Sequence, residues 1–368
     1  MHISFVIPTQ NRPQELAYTL DQLESLSLDQ LGRDSEIIVV DNASDIPVDS
    51  VAKLSNGLSV KVIRLKENMG AGARNIGAQH AKAQWIIMLD DDSHLCPGQV
   101  GQYLAQINPS TAIVGGEILL PDGSHEAGGL PEVPVGCGCA IRRDAFLDVG
   151  GYDSSFGYYV EEYDLSAKLI AAGYSIMHSR SLKFEHRKTT IGRDFNQILY
   201  RLVRNNGWVI QRYAPAHLKA NALTEMLERY RQIGINEQAM PGYEKGYKEL
   251  ERTIEAQPIT QLNDRQWDRF IGKSAAQQSL KRQLATYSSQ PVSIVGPPRG
   301  KGLSQIKSII QSMGITIDQH APNAPEVIAT LSPGPMLDAK QAFPHAICPW
   351  DIEQTKDGLV ETASTISR

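Results

Sequence analysis

The sequence predicts an α/β protein built on a mostly parallel sheet, and three observations lead there. Short apolar or β-branched runs, HISFVI, EIIVV, VKVIRL and WIIML, recur through the first half of the chain. Helical patterns beginning near Pro13, near Pro47 and at Gly70 separate them, which is the alternation of βαβ units. Each run is followed by polar residues: PTQNR, DNASD, KENMGAGARN and DDDSH. Ligands of such sheets sit beyond the carboxyl ends of the strands, so these four segments are expected to meet at one ligand-binding edge.

Composition bounds the function. A chain of 368 residues is long enough for a large core and for two domains. Its 36 basic and 41 acidic residues are mixed along the chain, which leaves no broad positive field for nucleic acid. No segment has the apolar length needed to span a bilayer, and peripheral membrane contact stays open. The opening MHISFVIPTQNRP lacks a basic n-region and reads as a first strand, not a signal peptide. Four cysteines, Cys96, Cys137, Cys139 and Cys348, are too sparse for a disulfide framework, so a cytoplasmic protein is expected.

Taken in order, the segments carry different chemistry. The first strand-to-helix turn, PTQNRPQEL, has no glycine to let a pyrophosphate approach the backbone, which argues against a dinucleotide fold. After the second strand, Asp41, Asn42, Ser44 and Asp45 suit turns and caps as well as a ligand. NMGAGARNIG is glycine-rich and enters a helix, where the Arg74 guanidinium can form paired hydrogen bonds to a diphosphate. The fourth strand runs straight into Asp90, Asp91 and Asp92; a turn needs only one such residue, and three together point to a cation.

Further on, VEEYDLSAKLIAAGY reads as a helix with Leu165 and Leu169 on one face and Gly173 as its terminator. Glu161, Glu162 and Asp164 in its first turn complement the helix dipole, and Asp164 can pair with Lys168. SLKFEH alternates like a strand and ends on His186. The pair Cys137 and Cys139 lacks a second ligand pair for structural zinc and reads as small residues in a packed strand.

These motifs, TQNRPQEL, IIVVDNASD, NMGAGARNIGAQHAKAQWIIMLDDD and CAIRRDAFLDVGGYDSSFGYYVEEYDLSAKLIAAGY, occur in the order of the family-2 glycosyltransferases of the GT-A fold, which the region Met1 to His186 closely resembles. The resemblance implies an inverting, metal-dependent hexosyltransferase. It would place Thr9, Asn11, Arg12 and Asp41 around the nucleoside of a nucleotide diphosphate sugar. Asp90 to Asp92 match the D-x-D element, with Asp90 near the ribose, Asp91 as the spacer on the donor side and Asp92 on Mn²⁺ or Mg²⁺. His186 stands where many members bring a metal-binding histidine. The acidic pair implies a catalytic base at Glu162, with Glu161 as the alternative, because Glu stands where the family often has Asp. The acceptor would be a saccharide or lipid-linked glycan in polysaccharide or glycoconjugate synthesis. A nucleotidyltransferase of related fold and a non-catalytic sugar-nucleotide-binding scaffold are the alternatives.

Three regions are expected: a GT-A catalytic core over 1–190, a helical extension over 191–277, and a small Rossmann-like α/β domain of unassigned role over 278–368. In the last, GPPRGKG misses the phosphate-loop pattern, since Gly296 and Gly300 are too close and Gly302 replaces the magnesium-binding hydroxyl. This tail is therefore not expected to hydrolyse ATP, and Lys301 is expected to be dispensable for sugar transfer.

Overall fold

The computed structural model describes residues 2–188, 194–287 and 290–352. The end of the first expected region (189–190) and the last residues of the tail (353–368) lie outside the described residues. Eight strands, β1 (Ile3–Thr9), β2 (Glu36–Asp41), β3 (Ser59–Arg64), β4 (Trp85–Leu89), β5 (Ser93–Leu95), β6 (Thr111–Leu119), β7 (Gly138–Arg142) and β8 (Ser175–His186), form one sheet in the order β3-β2-β1-β4-β7-β6-β8-β5.

Strands β1 to β4 pair in parallel, as the apolar runs predict. Both faces are covered: Ile3, Phe5 and Ile7 enter one core and Val6 the other, which is why the runs are continuous and not alternating. Beyond β4 the sheet is mixed, but four of its seven strand pairings are parallel, β6 with β8 among them, as a mostly parallel sheet requires. There β7 inserts antiparallel between β4 and β6, and β5 runs antiparallel to β8. The helix Pro13–Glu24 starts on proline and buries Leu16, Thr19, Leu20 and Leu23 at helical spacing. Gly77, in the helix Ala73–His80, lies so near β1 that a Cβ would stand 2.4 Å from Val6 Cγ1; only glycine allows that approach.

The helix expected near Pro47 does not form. Asp41 takes the backbone N–H groups of Ser44 (2.9 Å) and Val48 (3.1 Å) on its carboxylate, an alternative to helical hydrogen bonds that Asp offers readily. The connection to β3 is a loop.

Helices Phe195–Tyr213, Ala216–Asn236 and Met240–Thr253 follow β8 where a helical extension is expected, and Asp264–Phe270 and Lys273–Leu284 come after them. The boundary expected at 278 falls inside the last of these. Beyond it, β9 (Ser293–Val295) and β10 (Glu326–Ile328) pair in parallel, with the helices Leu303–Ser312 and Pro333–Ala342 beside them. One continuous apolar core joins Leu130 and Phe156 of the first region, Trp208 and Trp267 of the helical extension, and Ile306 and Trp350 of the tail. Among the described residues no helix is long and apolar enough to cross a membrane.

Candidate functional site

Pairing register brings the site together. Ser93 on β5 lies opposite His186 on β8, so the residue before Ser93, Asp92, meets the histidine ring. Leu89 at the end of β4 lies opposite Gly138 on β7, which carries Cys137 alongside Asp90. The ligand atoms of Asp90, Cys137 and His186 lie within 4.8 Å of one another.

The three aspartates do different things. Asp90 is part-exposed and pairs with Arg74, the second residue of the helix Ala73–His80. Asp91 turns inward, accepting from Thr9 Oγ1 at 2.8 Å and pairing with Arg12 at 2.6 Å. Burial pushes its carboxyl up to about 7, outweighing the Arg12 charge and the Thr9 hydrogen bond. Asp92 meets Arg12 at 2.7 Å and His186 Nε2 at 3.3 Å. Its burial favours the neutral form, but hydrogen bonds from His186 and Arg12 win and hold it well below the usual carboxylate range. On His186, burial is overcome by Asp92, Cys137 and Glu126, and the imidazole is pushed up to about 12. Without a metal, the ring and Arg12 supply the positive charge that these carboxylates require.

Asn11, at φ 55°, bonds Asp45 through both side-chain atoms, accepting from its N–H at 2.8 Å and donating to Oδ2 at 3.1 Å. It clamps the loop after β1 to the loop after β2. Asp41, expected beside the nucleoside, is fully buried and is committed to Ser44, Val48 and Arg64 (2.9 Å). Those contacts outweigh its burial and lower its pKa. Its observed role is to shape the loop.

The acidic pair opens the helix Glu161–Ala171. Tyr159 and Val160 before it have φ of 69° and 74°, an uncommon conformation for such residues. Asn205 holds them there: its Nδ2 donates to the carbonyls of Phe156 and Tyr158 at 3.1 Å and of Tyr159 at 2.7 Å. Asp164 is fully buried and paired with Lys168 (2.6 Å), Arg212 (2.9 Å) and Tyr213 Oη (2.8 Å), the structural role expected of it. Glu162 accepts from the N–H of Gly136 at 3.2 Å. Burial raises the pKa of both glutamates, that of Glu161 well above the ordinary range. Glu161 Oε2, Arg74 Nε and the Tyr152 hydroxyl are buried without a hydrogen-bond partner.

Residues 4–148 match the sequence model of glycosyl transferase family 2. The match covers less than half of the chain. It ends before the acidic pair and His186. An uncharacterized glycosyltransferase of Haemophilus influenzae is 28% identical over 197 residues, and the uncharacterized glycosyltransferase YwdF of Bacillus subtilis is 37% identical over 108. The matches take in 46% and 29% of this chain and span 62% and 38% of those relatives. Among solved structures, S. aureus TarS 1-349 in complex with UDP-GlcNAc is similar at 15% identity and TM-score 0.49, over 86% of this chain and 93% of that one. The Pyrobaculum calidifontis mannosyltransferase PcManGT, in complex with GDP-Man and Mn²⁺, is similar at 15% identity and TM-score 0.45, over 85% and 86%. The matched region has the α/β architecture expected of a GT-A fold, with its polar residues gathered where β1, β2 and β4 end.

Sequence reasoning missed Glu126. Its Oε2 lies 2.8 Å from His186 Nδ1 and its Oε1 accepts from Lys188 at 2.9 Å. It did not pair Cys137 with His186 either, and that sulfur stands 3.6 Å from the same nitrogen. Neither could be found from spacing: Glu126 reaches His186 because its turn folds back on β6, which pairs with β8, and Cys137 because it leads into β7 beside β6.

Proposed function

We propose that this chain is an inverting glycosyltransferase that moves a sugar from a nucleotide diphosphate donor to an acceptor hydroxyl. One observation carries the reading: Asp90, Asp92 and His186 converge with Arg74 at the edge where the strands end, while an acidic helix start lies against the same strands through Gly136.

The donor set fits a divalent cation. Carboxylate oxygens and an imidazole suit Mn²⁺ or Mg²⁺; the Cys137 sulfur beside them is a buried thiol pushed up to about 11 and so a poor ligand, and Asp92 with His186 are the residues that would hold the cation, with Asp90 adjacent. A bound cation there would supply Lewis-acid stabilisation of the departing diphosphate. The chain's own residues do the rest. Arg74 is placed to share charge with the diphosphate, and Thr9, Asn11 and Arg12 with Asp91 fix the loop that borders the nucleoside. The unpartnered Arg74 Nε, Tyr152 hydroxyl and Glu161 Oε2 offer hydrogen-bonding capacity for sugar hydroxyls.

Glu162 is the preferred base. Glu161 is the more deeply buried and the more strongly raised of the two, so it stays protonated where Glu162 can already ionise. Glu162 then takes the proton of the acceptor hydroxyl as that oxygen attacks the anomeric carbon opposite the leaving diphosphate, a single displacement that inverts configuration.

The test is a panel of UDP-, GDP- and dTDP-sugars offered with and without Mn²⁺ to a broad range of saccharide and lipid-linked acceptors. Product with inverted anomeric configuration by NMR is the expected result. Donor binding without hydrolysis or transfer to any acceptor would favour the non-catalytic scaffold.

A further inference from the structure

We infer that Glu126 is a positioning residue that presents His186 Nε2 to the metal; the inference rests on the metal reading of that site. The two ring nitrogens of His186 have different neighbours. Nδ1 lies 2.8 Å from Glu126 Oε2, with the Cys137 sulfur farther off at 3.6 Å, whereas Nε2 faces Asp92 Oδ1 at 3.3 Å. A neutral imidazole carries one N–H, and a carboxylate against Nδ1 keeps the proton there. The lone pair is thereby left on Nε2, the nitrogen on the aspartate side, and its basicity as a ligand rises.

Glu126 is itself held from several directions. Its second oxygen takes the Lys188 ammonium at 2.9 Å, so one carboxylate brackets both His186 and the residue two places on. Its backbone N–H bonds Ile118 at 2.9 Å, which sets the hairpin that returns from β6. From the tail, Gly334 packs against its carbonyl so closely that a Cβ there would stand 2.2 Å from the oxygen. Asp338 on the same tail helix anchors the preceding residue, bonding the His125 N–H at 3.2 Å and its Nδ1 at 2.6 Å. Glu126 is not placed as a ligand, since its oxygens point to His186 and Lys188. The tail thus acquires a function within the transferase: it backs the segment that orients the metal histidine.

The test measures Mn²⁺ binding by electron paramagnetic resonance, with and without inorganic pyrophosphate, and nitrogen coupling to the bound ion by spin-echo modulation. The proteins are the parent chain, His186→Ala, Glu126→Ala, Glu126→Gln and Lys188→Met, each checked by thermal unfolding. Glu126→Ala should weaken Mn²⁺ binding about 10–100-fold, the usual cost of losing such a partner, and should diminish the nitrogen coupling. Glu126→Gln keeps an oxygen acceptor for Nδ1–H and should recover most of the affinity; Lys188→Met should leave it unchanged. If Glu126→Ala fails to fold, Glu126→Ser, also too short to reach the ring, gives the same readout. Parental affinity and coupling in Glu126→Ala beside a weakened His186→Ala would overturn this inference alone. Parental affinity in His186→Ala would overturn it together with the metal reading. A loss in Lys188→Met equal to that in Glu126→Ala would assign the effect to chain placement and overturn it as well.

Discussion

Lys301 reaches from the loop after β9 to the hydroxyl of Tyr163, its ammonium 4.5 Å from the centre of that ring. Tyr163 directly follows the proposed base. The tail is therefore built against the back of the helix that opens with Glu161 and Glu162, and burial together with Arg229 pushes the Lys301 ammonium down to about 7, against the pull of Glu162.

Stability should respond to that burial. An unfolded lysine keeps its proton to about 10.4, whereas folded Lys301 loses it near 7, so between these values the unfolded chain binds more protons and stability rises with pH. Each unit of that window is worth at most about 1.4 kcal/mol. Urea unfolding of the parent and of Lys301→Met at pH 6.5 and 9.5 should show a gain with pH in the parent that the variant lacks. An equal gain in both would place the lysine in solvent. Transfer by Lys301→Met should also fall several-fold, because the Tyr163 contact that backs the base helix is lost.

That second outcome departs from what the sequence supports, and the reason is physical. A glycine-rich loop that fails the phosphate-loop pattern can be read only as a negative: local spacing says what Lys301 does not bind. Its contact with Tyr163 spans 138 positions and exists only because one apolar core joins the tail to the first region. The same distinction holds elsewhere. The ends of β1, β2 and β4 were legible because apolar run and polar end are adjacent in the chain, and so were Asp90 to Asp92. His186 was legible as a strand end. Its partner Glu126 was not, since nothing in SHEAGG marks a carboxylate for a ring that arrives through the pairing of β6 with β8. Near Pro47 the helical pattern lost to the Asp41 side chain, a local competitor that pattern reading does not weigh.

Metal and diphosphate should bind together at Asp92. In the protein alone this carboxylate is neutralised by Arg12 and His186, so a cation must displace those contacts, and it gains enough only when phosphate oxygens complete its shell. Calorimetry should show the affinity for a nucleoside diphosphate rising with Mn²⁺, and that gain disappearing in Asp92→Asn. The same metal enhancement in the variant would move the site off Asp92.

Gly136 should be sensitive to a single methyl group. Its N–H donates to Glu162 Oε1 at 3.2 Å, and a Cβ at this position would stand 2.6 Å from the same oxygen. Gly136→Ala must push the carboxylate aside and strain its hydrogen bond. A misplaced base costs rate more than binding, so turnover should fall at least tenfold while donor affinity stays within about twofold. Loss of donor affinity with unchanged turnover would put Glu162 on the donor side.

Glu162 and Glu161 should separate in rate and in pH dependence. Glu162→Gln removes proton-accepting capacity with little change in volume, and loss of a general base typically costs on the order of 10²–10⁴ in turnover. Donor and metal affinity should survive, since neither acid is among the cation ligands proposed. Glu161→Gln should be milder, because burial already keeps that carboxyl protonated well above its ordinary range and the amide retains its hydrogen-bonding shape. A base acts only when ionised, and burial raises Glu162 above the usual carboxylate value; turnover should therefore fall as pH drops through that raised value, earlier than an exposed glutamate would allow. Removing the neighbouring carboxyl in Glu161→Gln lessens the repulsion on Glu162 only where Glu161 is charged, so the acid limb should move little at neutral pH. Near-normal turnover in both variants would leave the pair as a favourable helix start. A deeper loss in Glu161→Gln than in Glu162→Gln would transfer the base to the first acid.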